Sequence, residues 1–247
     1  MSMSLSPYNP QRFTDSQLYL KEVDGRQLLV KTYLNEGKFT RRDMEIARNR
    51  RWEDFGFRVP EILGLQCKEI AEPHVVMQYV PGTRLSEYLK DKRLDTHAKL
   101  KTLASIFLLN CSRHDMALAN HDLLLLHTDP NTDNIILDGE DIWFIDFEHI
   151  SEPQDVPTGV GKEVATFTRR VVNDLGIEHL NEVVQALLQA YQFNATILTK
   201  VEDLTLARPF QFIHRLKHGL RKKGDAELVT RYDIADAIRK LRLAHQA

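Results

Sequence analysis

At 247 residues, 43% hydrophobic and 28% charged, the chain is long and apolar enough to bury a substantial core, which excludes a disordered or low-complexity protein. A formal net charge of −2 gives no global reason to expect a polyanionic partner, so no nucleic acid is expected. Two distant cysteines, Cys67 and Cys111, suggest neither a disulfide framework nor a zinc site; with no leader-like start and no run of roughly 18 apolar residues, a reducing, cytoplasmic setting is expected.

In chain order, Gln17 to Tyr33 reads as a β-hairpin around Asp24-Gly25, with Lys31 inside the second strand. Thr40-Arg-Arg-Asp43 resembles a capping box, opening a helix that carries Glu45 and stops at Gly56. Val59 to Leu63 and His74 to Tyr79 read as strands, the second broken by Pro81-Gly82, with a lobe boundary expected near Val80. A short helix over Leu85 to Leu89 and a long one from Thr96 to about Ala119 follow, the latter with Leu100, Leu103, Phe107 and Leu108 at helical spacing. Ile135 to Leu137 and Ile142 to Ile145 form a second hairpin through Asp138-Gly-Glu-Asp141. After a turn-rich loop over Ser151 to Gly161, helices are expected over Lys162 to Leu175, over Leu180 to Tyr191 and in pieces beyond Leu204.

The second hairpin is the informative object. Asn134 opens its first strand and Asp146 closes its second, each six residues from Glu140, so antiparallel pairing brings them to one end. Asp129 lies on the loop that feeds this end. Two carboxylates and an amide form the hard oxygen set that suits Mg²⁺. His127-x-Asp129-x-x-x-x-Asn134 followed by Ile145-Asp146-Phe147 matches the catalytic-loop and metal-binding signatures of protein kinases. In that chemistry Asp129 orients the acceptor hydroxyl and receives its proton, while Asn134 and Asp146 hold the metal. Lys31 would contact the α- and β-phosphates of ATP and pair with a helix carboxylate, for which Glu45 is chosen over Asp43, Glu53 and Asp54.

From Thr14 to Glu148 the chain resembles the small atypical kinases, a set that includes the RIO-type and KEOPS-complex kinases and the bacterial lipopolysaccharide core heptose and Kdo kinases. Val75-Val-Met-Gln-Tyr79-x-x-Gly82 is similar to the segment entering that family's nucleotide hinge, with Met77 as gatekeeper and the backbone near Tyr79 against adenine. The resemblance implies an α+β, bilobal fold, with a small β-rich lobe over 1–79 and a mainly helical catalytic lobe over 80–247. It also implies ATP and Mg²⁺ as cofactors and a sugar hydroxyl of the lipopolysaccharide inner core as acceptor. The sequence departs from the family pattern in three places. Thr14-Asp-Ser-Gln17 stands where a glycine-rich loop is expected, Glu148 replaces the glycine after Asp146-Phe147, and Gln78 stands where an acidic residue is frequent.

Other readings compete for the same residues. Asp129, Asn131, Asp133 and Glu140 occupy positions 1, 3, 5 and 12 of a calcium loop, although Asn134 stands where that loop needs glycine. Asx-rich turns also cap hairpins without further purpose, and a strand lysine is usually packed along its stem. His127 reads as a structural brace. The stretch 208–223 holds six Lys or Arg and two His among apolar residues and no acidic residue. It suits an anionic membrane surface, with the protein peripheral on the inner face of the cytoplasmic membrane, a basic site for a phosphorylated or nucleic-acid substrate, or a packed helix with a solvated basic side. A protein kinase or ATPase working with a partner protein and a nucleotide-binding pseudokinase scaffold are the alternative functions.

Overall fold

The computed structural model describes residues 6–8, 16–150, 153–206 and 229–246. The chain has a mixed α+β fold with antiparallel sheet at its start and helices through most of the remainder. It divides into two compact units, Met1–Thr83 with Asn134–Ser151, and Arg84–Asp133 with Glu152–Ala247. The first break falls after Thr83, whereas the sequence reading put the lobe boundary near Val80. Residues 134–151, placed by the sequence reading in the second lobe, are grouped with the first unit.

The first unit is built on a five-stranded antiparallel sheet of order β1-β2-β3-β5-β4: β1 (Ser6–Pro7), β2 (Ser16–Val23), β3 (Arg26–Tyr33), β4 (Ile62–Leu63) and β5 (His74–Gln78). Asp24 and Gly25 both take positive φ, 51° and 74°, the turn that matches the right-handed strand twist, and fix Leu18 opposite Lys31. Residues 59–61 stay outside the short β4. Leu28, Val30, Cys67 and Val76 form a core on one side of the sheet, Tyr33, Val75 and Met77 on the other. Helix α1 (Lys38–Asp54) packs near the second of these. It starts two residues before Thr40 with Gly37 at its cap and no capping side-chain bond, so the expected capping box is not used.

The second hairpin, β7 (Ile135–Asp138) with β8 (Asp141–Phe144), follows the two-residue β6 (Thr83–Arg84) in the numbering. It belongs to the first unit for identifiable reasons. Phe144 N donates to Arg58 O over 3.0 Å, and Trp52 of α1 meets Phe144 and Phe147 edge-on at centroid distances of 5.1 and 4.9 Å. Gly82 takes φ 132°, and a β-carbon there would collide with the Leu137 carbonyl. Gly82→Ala is therefore expected to lower stability by about 1–3 kcal/mol, read as a lower urea midpoint. An unchanged midpoint would show that the hairpin moves aside freely.

The second unit comprises α2 (Leu85–Lys90), α3 (Thr96–Asn120), α4 (Val156–Leu175), α5 (Leu180–Ala190), α6 (Ala195–Leu206) and α7 (Arg231–Gln246). Their apolar positions interleave: Leu103, Ile106 and Phe107 of α3, Val160, Val164, Phe167 and Val171 of α4, Val183, Val184 and Leu187 of α5 and Ile234 and Ile238 of α7 are all buried. Helix α4 begins six residues before the expected Lys162. Asp155 caps it by accepting from Thr158 N at 2.7 Å, and Pro157 sits in the first turn, where its missing N–H costs nothing. Gly159 marks close packing there, not a turn, because a β-carbon would strike Leu126 and Pro153. Helix α6 was also missed, and the basic stretch 208–223 lies outside the described residues.

Candidate active site

In the first unit, strand alternation and helix periodicity converge on Lys31. Lys31 and Tyr33 project from the same face of β3, and Glu45 lies on α1 with Arg48, Asn49 and Trp52, a buried i, i+3, i+4, i+7 stripe. Lys31 Nζ donates to Glu45 Oε2 at 2.7 Å and to Asp146 Oδ1 at 2.6 Å. The lysine is only 5% exposed and Glu45 1%. Burial opposes the ammonium, but the charges of Asp146 and Glu45 outweigh it and hold the Lys31 pKa well above its ordinary value. Among the acidic residues weighed on this helix, Asp43 pairs with neighbouring Arg42 and Glu53 and Asp54 are exposed. The apolar Trp52 seven residues on is the signal that picks out Glu45.

Asp146 reaches Lys31 from a backbone at φ 70°, left-handed for a non-glycine residue. A short polar side chain tolerates this conformation at a cost of about 1–2 kcal/mol. The segment after it is gripped by α1: Arg48 Nη1 donates to Phe147 O at 3.2 Å and to His149 O, while Trp52 packs on Phe147. Sequence reasoning did not find Arg48, which resembles any surface arginine until its place in the buried stripe is noticed. Glu148, read as a departure from the motif, also faces Lys31, at 3.3 Å.

Asn134 is 6% exposed at the head of β7, and its carbonyl accepts from Ile145 N at 3.0 Å. Ile135 opposes Phe144 and Asp138 opposes Asp141, so the hairpin turns between Gly139 and Glu140. Asn134 therefore stands across from Ile145, and Asp146 lies one residue further, a correction of one residue to the symmetry about Glu140. Residues 129–140 contain the 3₁₀ turn Thr132–Asn134 and strand β7, with Glu140 exposed at the hairpin tip, not the continuous cation-wrapping loop of the calcium reading. Met77 is buried in β5 opposite Leu29, and Tyr79 just beyond it meets Tyr8 edge-on at 5.9 Å.

Asp129 lies in the second unit, half-buried on a loop with several fixed points. His127 N donates to Glu163 Oε2 at 2.9 Å, and Arg113 donates both to Glu163 and to Leu125 O. His114 Nε2 is 3.2 Å from Glu163, and its Nδ1 is 2.8 Å from the Tyr191 hydroxyl. Burial would raise the Glu163 pKa, but Arg113 and His114 hold it well below the ordinary carboxylate range. Further along, Thr132 Oγ1 donates to Asp174, itself 2.9 Å from Lys90, while Ser86 donates to the Asp133 carboxylate. His127 thus braces the loop through its backbone, and Glu163, Arg113 and Asp174 are positioning residues that motif spacing does not reveal.

One oxygen each from Glu45, Asp146 and Glu148 lies within 4.8 Å of the others, a hard, all-carboxylate donor set that fits Mg²⁺ in charge and chemistry. No protein-family profile and no curated protein matches the sequence. Among solved structures, the chain is similar to WaaP in complex with acyl carrier protein, with TM-score 0.50 and 18% identity over 88% of this chain and 85% of that one. At that identity the likeness speaks to fold, and the fold it shows is WaaP-like and kinase-like.

Proposed function

We propose that this protein is an ATP-dependent kinase that phosphorylates a sugar hydroxyl, with the lipopolysaccharide inner core as acceptor. The observation that carries the reading is Lys31, buried and shared by Glu45 and Asp146, since the sequence resemblance assigns that lysine and those carboxylates to nucleotide and metal. The likeness to WaaP supports it coarsely, at the level of the fold.

In this mechanism Lys31 binds the α- and β-phosphates, oriented by Glu45 from α1. Met77 and the backbone near Tyr79 border the adenine, and Asn134 and Asp146 hold the metal. Bound Mg²⁺ supplies charge neutralisation on the phosphoryl oxygens. Asp129 accepts a hydrogen bond from the acceptor hydroxyl, orients it and takes its proton as the oxygen attacks. Glu163, through His127 N, fixes the loop from which Asp129 acts. Among the described residues no helix is long and apolar enough to cross a membrane.

Wild-type protein is expected to move the labelled γ-phosphate of ATP to purified lipopolysaccharide core, and Asp129→Ala to lower that rate by about two or more powers of ten. Label found on protein alone would instead favour a kinase acting on a partner. WaaP was solved with acyl carrier protein, which gives the partner-bound alternative a concrete candidate for co-purification.

A further inference from the structure

Glu148 stands where protein kinases carry glycine, and the mechanism above gives it no task. Its carboxylate lies 3.3 Å from Lys31 Nζ and 3.8 Å from Arg41 Nη1, beside Asp146 and Glu45. The three carboxylate oxygens fall within 4.8 Å of one another. Oxygens around a cation with ~2.1 Å bonds stand ~3–4 Å apart, a spacing of the same order.

Tyr33 provides an independent sign of a ligand. It is fully buried and shares its β3 face with Lys31, whose Nζ lies 5.6 Å from the ring centroid. Its hydroxyl has no hydrogen-bond partner among the described residues, an arrangement that is costly for a buried donor. Two residues from Lys31 on the same strand face, Tyr33 borders the ammonium that Glu45, Asp146 and Glu148 share. Mg²⁺ keeps several of its waters when protein-bound, and such a water would meet the orphaned hydroxyl.

The three acids divide by accessibility. Glu45 has a side chain 2% exposed and sits 2.7 Å from Lys31, so it stays with the lysine. The side chains of Asp146 and Glu148 are 34% and 15% exposed and can be reached by a hydrated ion. We infer that Glu148 is a metal ligand, which together with Asp146 holds the divalent cation on the protein before any nucleotide binds. This deepens the kinase reading by replacing a glycine with a second carboxylate, and so predicts a cation site that does not need phosphate oxygens.

The test is Mn²⁺ titration of the whole protein followed by electron paramagnetic resonance, without nucleotide or acceptor and with Mg²⁺ as competitor. Wild type is expected to bind one Mn²⁺ saturably, and Glu148→Gln to weaken it about tenfold or more. Glu148→Asp, which keeps the charge on a shorter arm, is expected to retain most of the affinity and guards against a folding defect in the amide variant. Asp129→Ala is expected to bind Mn²⁺ as wild type does. Affinity unchanged in a folded Glu148→Gln protein, or no saturable binding by wild type, would overturn the inference and leave Glu148 a counterion of Lys31 and Arg41. Glu148-dependent binding in a protein that transfers no phosphate would sustain the metal site and refute the kinase reading.

Discussion

Lys31→Met is expected to lower phosphate transfer by about two or more powers of ten and to destabilise the protein as well. Lys31 is the ammonium that Glu45, Asp146 and Glu148 share, and removing it leaves Glu45, 1% exposed, as a carboxylate without its counterion. Breaking a buried pair from one side costs about 3–5 kcal/mol, whereas replacing both members by apolar groups of similar volume is often neutral. The double variant Lys31→Met/Glu45→Leu is therefore expected to recover most of the urea midpoint lost by the single one. It should recover none of the transfer, because the phosphate-binding charge is still missing. That separation distinguishes a catalytic lysine from a structural one: transfer restored along with stability would show that Lys31 does no more than hold the fold. Lys31→Arg is not a safe substitute, since the planar guanidinium does not reproduce a point charge that donates to two carboxylates and pairs with a third.

What was legible in the sequence follows from how local each signal is. The hairpin at Asp24-Gly25 and helices α3 and α5 announce themselves through turn chemistry and helical periodicity. The spacing from Asp129 to Asp146 is likewise a property of consecutive residues, so its match to kinase motifs is visible without any structure. Signals that depend on distant partners were missed. Gly159 reads as part of a loop because the sequence does not show Leu126 and Pro153 pressing on α4 there. Arg48, Arg113 and Glu163 look like members of a solvated charge face until packing buries them, Arg113 to full burial and Arg48 to 1% exposure. In the sequence Glu148 is only a departure from the motif, since its position relative to Lys31 is what reveals a carboxylate joining the cluster.

Arg113→Met is expected to be among the most destabilising single changes in the second unit, by about 3–5 kcal/mol. Arg113 is fully buried and forms a two-pronged ion pair with Glu163, which is 5% exposed. Its loss leaves that carboxylate with His114, whose own charging is disfavoured by burial. Thermal unfolding should shift down by roughly 2–4 °C per kcal/mol for a chain of this size. The pH dependence has a fixed sign. The Glu163 pKa lies below its unfolded value of 4.5, so its contribution is present above that pH and is lost as pH falls toward the folded value. His114, lowered from 6.5 by burial, acts in the same direction, its contribution fading as pH falls below 6.5. Stability of the wild type should therefore decline on acidification, and Arg113→Met should flatten the steeper, more acidic part. Arg113→Met/Glu163→Leu is expected to regain most of the stability while transfer stays low. The leucine removes the acceptor that holds His127 N, two residues before Asp129, so kcat should fall with KM for ATP nearly unchanged. A double variant with full kcat would mean that Asp129 is placed without help from α4.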